Sequence, residues 1–91
     1  LNILGDVIVQ TRGVAEACEE HEQLQQEIID ALMQFQARQW GVVDVEDAQL
    51  NNEAVMYGGR ILAAYATCAG VIWIISEADR SATTILFPDE Y

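Results

Sequence analysis

The chain predicts one α+β domain: a short strand, three helices, then a three-stranded antiparallel meander, forming one sheet packed by helices. Three observations lead there. Hydrophobic residues make up 52% of the 91 residues, enough for one closed core and too little chain for a second lobe. Apolar spacing is helical up to about Tyr57 and turns into β-branched and aromatic runs after Arg60. The sequence carries neither an internal repeat nor a stretch of linker composition, so every element belongs to the same unit.

Residues 5–10, GDVIVQ, read as a strand because β-branched residues follow a glycine. Thr11 can cap a helix from Arg12 to about Glu20, kept short by Gly13 and by the acids before His21. A second helix runs from Glu22 to about Arg38. Its Leu24, Ile28, Leu32 and Phe35 recur at spacings of four, four and three, which stacks them on one inner stripe with Ile29 beside it. Gln25, Gln26, Glu27, Asp30, Gln34 and Arg38 fall on the wet face, and Trp40-Gly41 closes the element.

The stretch VDVEDAQLNNEAVMYGG predicts the third helix. Asp44 is its N-cap, Glu46 and Asp47 place negative charge in the first turn where the macrodipole favours it, and Gly58-Gly59 stops it. Leu50, Ala54 and Tyr57 are the expected inner stripe. RILAAYA and VIWIIS follow as two strands joined by a tight hairpin over Thr67 to Gly70, and ATTILFP is the third, ended by Pro88. VIWIIS is apolar on both faces, so it must be covered on both: by helices on one side, and by a helix, a loop or a partner on the other.

Charge sets the functional boundary. Fifteen acids face four arginines, lysine is absent, and the net charge is −11. A chain of this length has a radius of gyration of about 12 Å, hence a diameter of roughly 30 Å and one net negative charge per roughly 3 Å; duplex DNA carries one per about 1.7 Å of axis. Direct nucleic-acid binding, which needs Lys and Arg at phosphates, is disfavoured, and a basic partner is favoured. The competing account of the charge is solubility alone.

The chemistry-bearing residues are sparse. Cys18 and Cys68 are expected as buried free thiols in a reducing compartment, and with His21 as the one histidine they show no zinc-ligand spacing. The turn SEADRS gathers Glu77, Asp79, Arg80 and Ser81. It lacks a base, since lysine is absent and His21 is remote, and Ser81 has no GxSxG elbow. Glu77 and Asp79 form at most a weak Mg²⁺ pattern, so the turn reads as a corner between strands and the chain as a non-enzyme without metal or cofactor. The apolar run from Ile61 to Ile75 is too short and too β-branched for a membrane helix, and the N-terminus lacks the basic start and apolar core of a signal peptide. The expected location is the cytoplasm.

TRGVAEA near the start, Trp40-Gly41 with EDAQLNNEA, GGRILAAY, and IWIISEADRSATTILFPDEY at the end together resemble a family of small acidic proteins carried by plasmids, phages and integrated elements, mostly of Gram-positive bacteria. The resemblance covers most of the chain, leaves out Glu19 to Gln39, and is most specific from Ile72 onward. It implies a mobile-element context and a kinship with anti-CRISPR inhibitors of type I effector complexes; it supplies no motif-linked active site.

The expectation that follows is a DNA-mimicking inhibitor of a host defence complex. Helical neighbours at i, i+3 and i+4 stand ≈ 5–6 Å apart, near the separation of successive phosphates. Glu16, Glu19 and Glu20, then Glu22, Glu27 and Asp30, and on the third helix Glu46, Asp47 and Glu53, are the candidate rows. The expected partner is a basic DNA-binding subunit, the PAM-recognising subunit of a type I CRISPR effector, met by a monomer or weak dimer. An antirestriction mimic, or an accessory protein dimerising through the Trp73 face of its sheet, are the alternatives.

Overall fold

A computed structural model describes residues 3–91. The elements follow in the order β1 (Val7–Gln10), α1 (Arg12–Glu20), α2 (Glu22–Gln36), α3 (Val45–Tyr57), β2 (Ile61–Thr67), β3 (Gly70–Ser76), β4 (Ala82–Leu86) and a short 3-10 helix, Pro88–Glu90. The α+β class and the antiparallel meander are as expected. The sheet as a whole is mixed, because its strands lie in the order β1-β4-β3-β2 and β1 runs parallel to β4. A strand separated from β4 by three helices and a hairpin enters beside it in the same direction, an arrangement that local periodicity does not reveal.

The first and third helices start on a side-chain cap. Thr11 Oγ1 accepts the Val14 N–H at 3.3 Å, and Asp44 Oδ1 accepts the Asp47 N–H at 2.8 Å. His21 alone links α1 to α2, its N–H still bonded to Ala17 O at 2.9 Å. The second helix stops at Gln36, short of Arg38, because Arg38 turns left-handed at φ 61°. With Arg38 N–H on Phe35 O and Gln39 N–H on Gln34 O, this is a Schellman closure built on a non-glycine residue.

The sheet has two unlike faces. Cross-strand pairing puts Ile61, Ala63, Tyr65, Ile72, Ile74 and Ile85 on one of them, and all six are buried with Val14, Leu24, Ile28 and Phe35 from α1 and α2. Phe35 meets Trp40 edge-on, the ring centroids 5.4 Å apart. Leu32 is half-buried and Ile29 is largely exposed, so the stripe of α2 is narrower than its spacing predicts. Two buried hydroxyls on the core face are matched: Ser76 Oγ donates to Ile3 O at 2.6 Å, and Thr83 Oγ1 accepts the Gly5 N–H at 2.7 Å. They hold the segment leading into β1 against β3 and β4.

The opposite face carries Val7, Val9, Trp73, Ile75, Thr84 and Leu86. Part of it is covered by the C-terminus, a loop element where the sequence required a helix, a loop or a partner. Tyr91 stands edge-on to Trp73 at 5.6 Å between centroids, and Arg60 lies over the Tyr91 ring while its Nη1 donates to the Tyr91 hydroxyl at 2.7 Å. Glu90 then ties the tail to the start of α1. Its carboxylate accepts from the Thr11 hydroxyl at 2.6 Å, the Gly13 N–H at 3.1 Å and the Phe87 N–H at 2.8 Å. A Cβ at Gly13 would meet that carboxylate and oblige the Glu90 side chain to shift.

The third helix departs from its predicted packing. Leu50 and Tyr57 are 61% and 81% exposed, and the buried positions are Asn51, Ala54 and Val55. Asn51 takes the inner place because α3 lies along the edge of β2, where backbone groups and not apolar side chains need partners. Asn51 Nδ2 donates to Leu62 O at 2.9 Å, and the Leu62 N–H reaches Asn51 Oδ1 at 3.3 Å.

Candidate partner-binding surface

The acids divide by element. On α1 and at the corner into α2, Glu16, Glu19, Glu20 and Glu22 are exposed. Glu16 is paired with Arg12 at 3.3 Å, an i,i+4 contact between two well-hydrated side chains. Glu19, Glu20 and Glu22 touch no cation or donor among the described residues. Glu20 and Glu22 flank His21 in a shallow groove shared with Gln23 and Cys68.

Further along α2, Glu27 and Asp30 border a second groove against Gly41, Val42, Tyr65 and Ala66. Both are engaged locally. Asp30 Oδ1 accepts from Gln26 Nε2 at 3.0 Å, and Glu27 Oε1 accepts the Cys68 N–H at 3.0 Å. The Cys68 thiol, then its backbone N–H, hold the Glu27 carboxyl below its ordinary range, while the same carboxylate pushes the thiol up. Glu27 is thus the link between α2 and the tip of the β2–β3 hairpin. Cys68 is exposed there, contrary to the expectation of burial, because it occupies the two-residue turn; Cys18 is half-buried.

The α3 acids form a separate group. Glu46 and Glu53 line one groove with Val45, Gln49 and Leu50, and Asp47 lines another with Leu50, Asn51, Arg60 and Leu62. Sequence reading took Leu50 for core and so missed that these acids alternate with exposed Val45 and Leu50. The signal was present: Val45, Leu50, Val55, Met56 and Tyr57 cannot all lie on one stripe of a helix.

The arginines do little to neutralise this surface. Arg60 is 3.6 Å from Glu77. Arg80 is turned inward, its guanidinium donating to Gly59 O at 2.7 Å, Glu77 O at 2.8 Å and Ala54 O at 3.2 Å. It thereby joins the C-terminal end of α3 to the β3–β4 turn, where cationic charge complements the helix dipole. In that turn Arg80 is left-handed at φ 57°, and Asp79 Oδ1 accepts the Ser81 N–H at 3.0 Å. The Ser81 side chain and backbone lower the Asp79 carboxyl below its usual range. The SEADRS stretch is a hydrogen-bonded corner between β3 and β4.

Among the described residues no three His, Cys, Asp or Glu side chains gather as a metal site, and no helix is long and apolar enough to cross a membrane. Comparison with protein-family models, with curated proteins and with solved structures finds no match to this chain.

Proposed function

We propose that this domain is a DNA-mimicking inhibitor that occupies a basic DNA groove in a bacterial defence complex, most concretely the PAM-recognising subunit of a type I CRISPR effector. The observation that carries the reading is the use of the arginines. Two of the four make ion pairs with acids and a third, half-buried, donates to backbone carbonyls, so most of the net −11 charge is available to a cationic surface. Spread along a longest dimension of 39 Å, it amounts to one charge per about 3.5 Å, within about a factor of two of duplex DNA.

The contact is assigned first to Glu19, Glu20 and Glu22, whose carboxylates make no hydrogen bond or ion pair among the described residues. Glu27 and Asp30 flank them, and Glu46, Asp47 and Glu53 offer a second acidic edge on α3. Attraction to Lys and Arg would steer association and weaken with salt. Reversing three charges in E19K/E20K/E22K should abolish binding to a purified type I effector and restore its DNA loading. If the triple variant, still folded by circular dichroism, inhibits DNA loading as the parent does, the reading fails. Transformation of plasmids against restriction and, separately, against CRISPR interference distinguishes an antirestriction target from this one.

A further inference from the structure

We propose that the free edge of β1 is a self-pairing site, at which two copies of the chain join antiparallel about Val9 into one eight-stranded sheet. The strand is at the rim of the sheet, and among the described residues only β4 lies beside it. Val7, Ile8 and Val9 are 52%, 46% and 43% exposed. Edge strands are ordinarily blunted by lysine, proline, a bulge or a covering loop; Val-Ile-Val-Gln has none of the first three, and among the described residues none of its side chains makes a polar or ring contact.

The backbone hydrogen-bonding fixes which groups are free. Thr11 N–H donates to Ile85 O at 3.0 Å, and Gln10 is the register partner of Ile85. In a parallel ladder this parity turns the N–H and C=O of Val7, Val9 and Thr11 toward β4, and those of Ile8 and Gln10 outward. An antiparallel copy satisfies all four outward groups on each chain when Ile8 of one lies opposite Gln10 of the other. Val9 then faces Val9 across the two-fold axis as a non-hydrogen-bonded pair, and Asp6 of each copy faces the start of the other copy's α1, whose first residue is Arg12.

Charge favours a second copy at this place and nowhere else along the helices. A two-fold contact through α1, α2 or α3 would set rows of acids against themselves. Residues 7–15 contain no acid and include Arg12, one of the four bases, whose side chain is 92% exposed. The edge is therefore self-complementary on a chain that otherwise repels its own kind. The pairing leaves Glu19, Glu20 and Glu22 outside the contact and does not depend on the proposed target.

Cysteine substitution tests the register directly. In a C18S/C68S background, Val9→Cys places two thiols on residues whose Cα atoms lie about 4.5 Å apart, within disulfide range. Val7→Cys is at a more exposed position on the same face, yet the two copies of residue 7 are offset by four residues, roughly 13 Å along the strands. Under mild oxidant V9C should link into dimers at least about tenfold faster than V7C, since thiols on Cα atoms beyond 7 Å cannot bridge. Asp6→Arg alone and Arg12→Asp alone should each slow V9C linking, and D6R/R12D together should restore it. The first of these lowers the repulsion between copies by two charges each, so slower linking there cannot come from net charge. Equal linking of V7C and V9C, or indifference to the charge swap, overturns the proposal, as does a parent chain that stays monomeric by sedimentation at every concentration tested.

Discussion

The two edges of the sheet are treated in opposite ways. At β2, Asn51 closes the outward backbone of Leu62, and the segment after α2 closes that of Ala64: Ala64 N–H reaches Trp40 O at 3.2 Å and Val42 N–H reaches Ala64 O at 2.7 Å. At β1, the corresponding groups of Ile8 and Gln10 have no partner among the described residues. The difference shows what blocking an edge requires. The β2 edge is covered by a buried amide, a left-handed glycine and a whole helix, whereas β1 is held from behind, by β4, by the Ser76–Ile3 and Gly5–Thr83 bonds, by the Asp6 N–H on Arg80 O and by Glu90 at Thr11.

The largest effect should come from breaking the covered edge. Asn51→Ala removes both bonds to Leu62 and leaves a buried N–H and C=O without partners, costing about 3 kcal/mol in urea denaturation. Asn51→Asp restores size and one acceptor but cannot donate to Leu62 O, and adds an acid beside a backbone carbonyl, so it should be no better than alanine. If either variant unfolds at the same urea concentration as the parent, the side chain does not close the edge.

Gly41 is the next point of attack. It sits at φ 77° and bridges Ala64, and a Cβ there would overlap the Ala64 carbonyl oxygen. Gly41→Ala should cost about 2 kcal/mol through backbone strain and loss of the bridge, read by the same measurement. The Trp40 indole, which donates to Asn52 Oδ1 at 2.9 Å, provides a local probe: its fluorescence should shift if the segment peels from β2 before global unfolding, and should not if edge and core unfold together.

What could be read from the sequence divides along the same line. The stripe of Leu24, Ile28 and Phe35 and the caps at Thr11 and Asp44 rest on spacing and local hydrogen bonding, and both are written in adjacent residues. Asn51 was missed because periodicity searches for apolar residues facing inward, and α3 faces a strand edge whose need is polar. The parallel pairing of β1 with β4 and the contacts of Glu90 with Thr11 and Gly13 join residues more than seventy positions apart, beyond any local pattern. The acids were all visible; that Glu27 holds a hairpin tip while Glu19, Glu20 and Glu22 hold nothing depends on the fold.

Glu90→Gln addresses the rear support of the open edge, with a smaller effect. The Thr11 hydroxyl, then the Phe87 and Gly13 N–H groups, hold this carboxyl below its ordinary 4.5. A carboxyl with a lowered folded pKa contributes stability that is fully present above the unfolded value and is lost as pH falls through the folded one. The parent should therefore exceed E90Q by less than about 1 kcal/mol near neutrality, the group being well hydrated. The gap should close as pH drops below 4.5. A gap unchanged down to strongly acid solution would mean that the amide, not the lost charge, disturbs the contact.

The smallest effect on folding is expected at the open edge itself. Ile8→Lys places a charge on a half-exposed side chain whose outward backbone has no partner among the described residues, so stability should move by no more than about 0.5 kcal/mol. The same substitution adds a cation to each side of a two-fold contact and, as in natural edge strands, opposes pairing with another strand. The contrast with Asn51→Ala makes the comparison quantitative. A loss above about 2 kcal/mol for Ile8→Lys, large beyond ordinary surface substitutions, would mean that β1 is as deeply built into the fold as β2 and that its exposure is not an invitation to pair.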